Sequence, residues 1–266
     1  MASTAKIGFI GFGNMAQAIA DGLLCKNVTA PSQIYACAAN WEKLCRNAKQ
    51  RGITPCRTAE ETAEHSDIVV LAVKPYMIEE VTSPIKNILK ERIVISVAAG
   101  YPFEKYEEIL LPGTHHLSTI PNTPVAIGEG IFICENRHSL TDDELTLVQE
   151  LFSRIALMQF VETSQLSIAG TVSGCGPAFA SMFMEALADA AVMHGLTRTT
   201  AYSLAAQMIA GTGKLQLETG EHPGAMKDAV CSPGGTTIRG VAALERSGLR
   251  AAVIDAIDAV EGPIYQ

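Results

Sequence analysis

A glycine-rich turn near the start of the chain constrains the fold more than any other feature. The residues Gly11-Phe12-Gly13-Asn14-Met15-Ala16 follow an apolar run and open a stretch of helical character that ends at Cys25. Gly11 permits a tight turn, Gly13 lets the backbone approach a pyrophosphate, and Ala16 allows close packing of helix on strand. This context is typical of the dinucleotide-binding fingerprint, so we expect the N-terminus of the helix to bind phosphates.

Short apolar runs alternate with helical stretches over about the first 160 residues. Asp67 to Val73 and Arg92 to Val97 are rich in β-branched residues, as expected of strands buried on both faces of a parallel sheet. The other predicted strands are Lys6 to Ile10, Gln33 to Cys37, His115 to Ile120, Gly130 to Cys134 and Ala156 to Val161. This alternation of strands and helices predicts an α/β fold with a doubly wound sheet.

The sequence pattern changes after Thr163, where runs typical of β-strands no longer occur and helical segments follow. We predict two domains, residues 1–162 and residues 163–266, the second all-α. Pro177 and Pro223 each stand where a helix could begin, because proline is tolerated in a first turn. The predicted helices are Pro177 to His194, Thr199 to Glu218, Pro223 to Val230, Thr236 to Arg246 and Leu249 to Val260.

The helix predicted at Pro177 to His194 consists almost wholly of small and apolar residues. A helix that is apolar on all sides must be covered on all sides. Two explanations remain open from the sequence. The helix is either the core of its own domain or packs in part against a second subunit.

The residues after the second predicted strand bear on which dinucleotide binds. An acidic residue there would hydrogen-bond the ribose 2′-hydroxyl of NAD. The chain instead reads Ala36-Cys37-Ala38-Ala39-Asn40, with Lys43 and Arg46 following and Glu42 nearby. The missing carboxylate favours NADPH, and NADH remains possible.

A second glycine-rich turn, Ser232-Pro233-Gly234-Gly235-Thr236-Thr237, precedes an apolar helical stretch. The proline and glycines predict a tight turn, and a threonine beside a helix start is a good cap. Backbone N–H groups that converge at a helix N-terminus bind anions. A plain capped turn between helices is the alternative.

Charge and composition exclude several classes of function. The formal net charge is -8 and there is no block of lysine and arginine, so we expect no binding to nucleic acid. No uncharged run of about 18 apolar residues occurs, so we expect no membrane span. The seven cysteines form no C-x-x-C pair, which favours a reducing, cytoplasmic location without disulfides.

No metal site is expected from the sequence. His115 and His116 are adjacent, so a regular strand would point them to opposite faces. Cys175 lies between Gly174 and Gly176, and Cys231 directly precedes the second glycine-rich turn. Neither has a pattern that supplies a base, so we interpret both as small packing residues.

The segment Pro223 to Glu245 is similar to the signature segment of pyrroline-5-carboxylate reductases. Further similar segments occur in the same order and extend the resemblance over essentially the whole chain. These segments are Ile7 to Gly13, Leu71 to Pro75, Ala98 to Gly100, Pro121 to Pro124 and Ser173 to Ala178. The chain differs from the usual family pattern at Ala38 and at Cys175, where hydroxyl side chains are common.

The resemblance implies a Rossmann-type N-terminal domain, a C-terminal dimerisation domain, and an active site shared between two subunits of a homodimer or a larger assembly of dimers. It places the substrate on Gly234, Gly235, Thr236 and Thr237, with Thr237 as the catalytic residue. The implied cofactor-binding residues are Gly11, Phe12, Gly13, Asn14, Met15, Val73, Lys74, Pro75 and Ala99.

The implied activity is NAD(P)H-dependent reduction of 1-pyrroline-5-carboxylate to L-proline in proline biosynthesis. A protonated cyclic imine accepts a hydride directly, so the protein need only position and stabilise it. That requirement fits a chain without a Ser-His-Asp set or paired carboxylates. Two alternatives remain: a reductase of another small imine or β-hydroxy acid, and a non-catalytic dinucleotide-binding protein.

Overall fold

The computed structural model describes residues 4–262. Within that range, eight strands form one sheet in the order β3-β2-β1-β4-β5-β6-β7-β8. The strands are Ile7–Ile10 (β1), Ile34–Cys37 (β2), Thr54–Pro55 (β3), Ile68–Leu71 (β4), Ile93–Ser96 (β5), His115–Pro121 (β6), Gly130–Glu135 (β7) and Ala156–Val161 (β8). Pairing is parallel throughout, except that β7 runs antiparallel to β6.

Seven α-helices accompany this sheet. They are Asn14–Cys25 (α1), Trp41–Arg51 (α2), Ala59–Glu64 (α3), Ile78–Thr82 (α4), Lys86–Leu89 (α5), Phe103–Ile109 (α6) and Asp142–Phe152 (α7). Five helices follow: Leu166–Met193 (α8), Arg198–Thr219 (α9), Pro223–Ala229 (α10), Thr236–Arg246 (α11) and Leu249–Glu261 (α12). The predicted class, a doubly wound sheet followed by helices, is confirmed.

The central strands are buried on both faces, as their β-branched sequences predict. Along β4, Ile68 and Val70 belong to one hydrophobic cluster, and Val69 and Leu71 belong to another. Successive side chains of a strand point to opposite faces, so the two clusters lie on opposite sides of the sheet. All four side chains are fully buried.

Helix α8 differs from its prediction, because it begins at Leu166 and Pro177 lies inside it. An internal proline donates no hydrogen bond to the carbonyl four residues earlier, here that of Ser173. The Asn122 side chain takes the place of that donor, with Nδ2 3.0 Å from the Ser173 carbonyl oxygen. Asn122 is buried and its Oδ1 accepts the Ile131 N–H at 2.8 Å, so the amide is fixed at both ends.

Two compact units divide the chain after Gly174, within α8. The second unit has little core of its own. Among its described residues the buried apolar ones are Ala188, Ala201 and Ala205, and no residue of α10, α11 or α12 is buried within one copy. The predicted boundary between residues 162 and 163 stays a prediction.

The apolar helix is mostly uncovered within one copy. From Pro177 to Met193 only Ala188 is buried, whereas Met182 is 70% exposed and Met193 85% exposed. The alternative of a self-contained core helix is therefore wrong. The segment Thr163–Met193 is long and apolar enough to cross a membrane, which the sequence prediction did not anticipate, although interface and core helices of soluble proteins share these properties.

Candidate functional site

The predicted phosphate-binding turn lies where the strand order of the sheet reverses. β1 is flanked by β2 on one side and β4 on the other, and chain order runs outward from it in both directions. Ile10 pairs with Leu71, and Leu71 pairs with Ser96, so β1, β4 and β5 end level with one another. Ligands of open α/β sheets bind at such carboxyl ends.

Gly11 must be glycine for two reasons. Its φ is +91°, a left-handed conformation that residues with a side chain rarely adopt. A Cβ on it would also lie 2.7 Å from the Ala72 carbonyl oxygen and 2.8 Å from Cγ1 of Val73. The Gly11 N–H donates to the Cys37 carbonyl at 3.0 Å, which joins the turn to the end of β2.

Gly13 faces open space. It is the N-cap of α1 and carries no side-chain cap, and a Cβ on it would meet no described atom within 4 Å. Asn14 and Met15 are the first helical residues and have no acidic neighbour in that turn. The uncapped N–H groups and the helix dipole provide room and positive potential for a pyrophosphate, so this turn fits a dinucleotide.

Phe12 can take part only through its backbone. Its side chain is 4% exposed and packs edge-on against Phe9, with ring centroids 5.9 Å apart. Its carbonyl accepts a hydrogen bond from Nε2 of Gln17 at 3.2 Å. The backbone N–H is therefore the one group of this predicted residue that is left for a ligand.

The other predicted cofactor residues lie along the same edge. Val73 approaches Gly11, as described above, and Lys74 and Pro75 follow it on an exposed turn in which the Lys74 carbonyl accepts from Met77 N at 2.9 Å. Ala99 is exposed after β5. The structure thus brings all nine predicted cofactor residues to the carboxyl edge of β1, β4 and β5.

Cys37 lies behind the glycine turn and is not a nucleophile. Burial raises the pKa of its thiol, although hydrogen bonds that include one with Thr62 oppose the shift. Burial likewise raises the pKa of the Cys56 thiol, which directly follows the neighbouring strand β3. Both thiols are therefore neutral at pH 7, and this part of the edge carries no thiolate charge.

The second predicted turn also ends at an uncapped helix. Gly234 has a φ of +68°, and Gly235 donates its N–H to the Ser232 carbonyl at 3.0 Å. The N-cap of α11 is Gly235 and no side chain caps it, so the prediction of a threonine cap is wrong. Thr236 and Thr237 are instead the first two helical residues, and both are exposed. Their N–H groups and hydroxyls remain available to an anion.

The described residues offer neither a metal site nor a disulfide. No group of three or more His, Cys, Asp or Glu side chains suited to a metal occurs in residues 4–262. All seven cysteines are free in the structure. Cys175 and Cys231 are half-buried.

One contact at the cofactor edge was missed from the sequence. The guanidinium carbon of Arg57 lies 3.7 Å from the centroid of the Trp41 ring, just beyond β2 and β3. β3 has only two residues, so its run was too short to be recognised as a strand. The signal that could have found this contact is an arginine near the expected 2′-phosphate position.

Two family models match separate parts of the chain. Residues 163–262 match the family described as pyrroline-5-carboxylate reductase dimerisation. Residues 6–100 match the family described as NADP oxidoreductase coenzyme F420-dependent.

Full-length relatives and solved structures are similar to almost the entire chain. The pyrroline-5-carboxylate reductase of Treponema pallidum (strain Nichols) is 43% identical over 96% of this chain and 98% of its own length. That of Escherichia coli (strain K12) is 40% identical over 95% and 94%. The structure of Plasmodium falciparum pyrroline carboxylate reductase with NADP bound has a TM-score of 0.85 at 29% identity, covering 98% of this chain and 97% of that one. The structure of a pyrroline-5-carboxylate reductase from Coxiella burnetii has a TM-score of 0.85 at 33% identity over 97% and 96%. The chain therefore belongs to the pyrroline-5-carboxylate reductase family.

Proposed function

We propose that this protein is an NADPH-dependent oxidoreductase that reduces 1-pyrroline-5-carboxylate to L-proline. The observation that carries the proposal is the pair of uncapped helix N-termini, at α1 and at α11, each behind a glycine turn. One suits a dinucleotide pyrophosphate and the other a small carboxylate. Relatives that carry this activity in their names are similar over almost the whole chain.

The first turn would hold the cofactor. Gly13 gives the pyrophosphate room, and the first N–H groups of α1, from Asn14 and Met15, donate to it. Val73, Lys74, Pro75 and Ala99 would flank the ribose and nicotinamide along the same edge. NADPH, when bound, supplies the hydride that adds to the carbon of the imine C=N bond.

The second turn would hold the substrate. The N–H groups that begin α11, after Gly234 and Gly235, donate to the substrate carboxylate and neutralise its charge through the helix dipole. The Thr237 hydroxyl then lies free to hydrogen-bond the ring nitrogen, which carries the proton of the reactive iminium and retains it in the amine product. Thr236 and Thr237 thus orient the ring, and positioning of this kind supplies most of the catalysis.

A second copy of the chain would complete the site. The helical unit has almost no buried apolar residues within one copy, yet it carries exposed Met182, Val253 and Ile254. An exposed apolar surface of this extent is covered in a soluble protein by a partner. We infer that residues 163–266 form a homodimer, alone or within a larger assembly, while residues 1–162 bind the cofactor. The free cysteines favour a cytoplasmic location.

The activity is tested by following oxidation of NADPH and of NADH with 1-pyrroline-5-carboxylate, its six-membered homologue and β-hydroxy acids. The proposal predicts NADPH oxidation that depends on the five-membered imine and yields proline in equal amount. Preference for a larger ring or for hydroxy acids would contradict the substrate. Cofactor binding without turnover of any substrate would contradict an enzymatic role.

A further inference from the structure

The edge of the sheet beside the glycine turn holds an arginine that the family resemblance did not assign. Cys56 donates its N–H to the Ala36 carbonyl at 2.7 Å, so the end of β3 is fixed beside the end of β2. Arg57 follows at once, as far beyond Pro55 as Ala38 lies beyond its pairing partner Ala36. The Gly11 N–H donates to the Cys37 carbonyl, so the end of β2 adjoins the phosphate-binding turn.

The Arg57 side chain is positioned but not neutralised. Its guanidinium carbon lies over the Trp41 ring, 3.7 Å from the ring centroid, a cation–π contact, and Trp41 itself packs on the hydrophobic core. The nearby Glu61 carboxylate accepts the backbone N–H of Arg57 at 2.6 Å. Over residues 4–262 the guanidinium has no recorded ion pair or hydrogen bond, so its donors remain available.

We propose that Arg57, held over the Trp41 ring, binds the 2′-phosphate on the adenosine half of the cofactor and sets the preference for NADPH over NADH. The inference rests on the proposed function only for the identity of the cofactor. Sites selective for NAD carry a carboxylate after β2, where this chain has Ala38, Ala39 and Asn40. A planar guanidinium donates two parallel hydrogen bonds to a phosphate, and stacking fixes it beforehand.

Arg57 is better placed than the two basic residues that follow β2. Arg46 lies five residues along α2 from its start, about 7.5 Å farther from the edge at the usual helical rise. Lys43 lies in the first turn, where its backbone N–H is already bonded to Oδ1 of Asn40 at 2.9 Å. Both side chains are exposed and neither is stacked on an aromatic ring in the described chain.

The test is calorimetric and needs no substrate. Dissociation constants for NADPH, NADH and 2′,5′-ADP are measured for the wild type, Arg57→Ala and Arg57→Gln, with Arg46→Ala as the matched control. Loss of a charged hydrogen-bond pair predicts about ten- to a hundredfold weaker binding of NADPH and 2′,5′-ADP in both Arg57 variants. NADH binding changes by less than about threefold, and Arg46→Ala leaves all three ligands within that range.

Melting curves verify that the variants are folded. Equal weakening of NADPH and NADH, or unchanged NADPH binding, overturns the role of Arg57. A loss confined to NADPH in Arg46→Ala would move the assignment to α2. Wild-type protein that binds NADPH but reduces no imine would contradict the proposed function and leave the assignment of Arg57 intact.

Discussion

Gly13 combines an exposed backbone with empty surroundings, which makes it a sharp probe of cofactor binding. Gly13→Val places a branched side chain in open space, because no described atom lies within 4 Å of a Cβ at this position. The φ of -80° is ordinary for valine, so the fold is preserved while a close pyrophosphate approach is blocked. We expect calorimetry to detect no binding of NADPH or NADH. Unchanged affinity in the folded variant would place the cofactor elsewhere.

Thr237 tests the substrate turn. Thr237→Val keeps the shape and removes only the hydroxyl, which caps nothing in α11. Loss of one hydrogen bond to a charged group costs about 1.5–3 kcal/mol and lowers kcat/KM by roughly ten- to a hundredfold. Cofactor affinity stays within about threefold and stability within about 0.5 kcal/mol. Steady-state kinetics with melting curves measure both, and normal kcat/KM would show that other groups orient the ring.

His116 predicts how stability depends on pH. Burial lowers the pKa of this histidine, although a hydrogen bond from Nε2 to Glu107 at 2.8 Å opposes the shift. Its Nδ1 is buried without a partner in the described residues, and its ring stacks on Phe103. The unfolded chain takes up a proton near the ordinary value of 6.5 and the folded chain does not, so the free energy of unfolding falls as pH drops below that value.

Urea unfolding between pH 7.5 and 5 measures this loss. His116→Gln should be less stable than the wild type at neutral pH but show a flatter decline in the free energy of unfolding as the pH falls. Burial opposes a lower pKa for Glu144, but hydrogen bonds from His115 and Thr141 outweigh it, so the pKa is lowered. This shift changes the free energy of unfolding only below about pH 4.5, outside the range of the experiment. An unchanged slope in His116→Gln would assign the effect to other groups.

Residue-level prediction succeeded where the requirement is local. The tight turn at Gly11 was predicted and its φ of +91° confirms it, whereas the close approach of a pyrophosphate at Gly13 stays a prediction. The contact of Arg57 with Trp41 was missed because it depends on the pairing of β2 with β3, which sequence periodicity does not report. The threonine cap at α11 was wrong, since Gly235 already occupies the cap position.

At the scale of elements, the bounds of α11 and β8 and the end of α1 agree with their predictions to the residue. Each has a clear boundary signal or an unbroken apolar pattern. The start of α8 was misplaced by eleven residues, because Gly170, Gly174, Gly176 and Pro177 read locally as a loop. The helix continues through them because Asn122, 51 residues away, bonds the carbonyl that the proline leaves without a donor.

A double-mutant cycle tests this explanation of α8. Asn122→Ala removes the donor to Ser173 and the acceptor for Ile131 and should cost about 2 kcal/mol in the free energy of unfolding. Pro177→Ala restores a backbone N–H to the helix, so the same change should cost about 1 kcal/mol less in that background. Additive effects in urea unfolding would mean that Asn122 and Pro177 act independently.

At the scale of the whole molecule, the fold class followed from the alternation of strands and helices, but the strand order did not. The reversal of strand direction at β7, which pairs antiparallel with β6 and parallel with β8, depends on pairings between distant segments. The incomplete core of the helical unit could not be read from composition either. A wholly apolar helix has the same sequence whether its own domain or a second copy covers it.

The central proposal is that the Gly11–Ala16 turn of one copy and the Ser232–Thr237 turn of another together form one active site. Chains carrying Gly13→Val are co-expressed with chains carrying Thr237→Val, and imine-dependent NADPH oxidation by the purified mixture is compared with each variant alone. In a mixed dimer, one site combines the intact Gly13 turn of one chain with the intact Thr237 turn of the other. Random pairing then restores about a quarter of wild-type activity. Activity no higher than the average of the two variants alone would show that each site is built within a single chain.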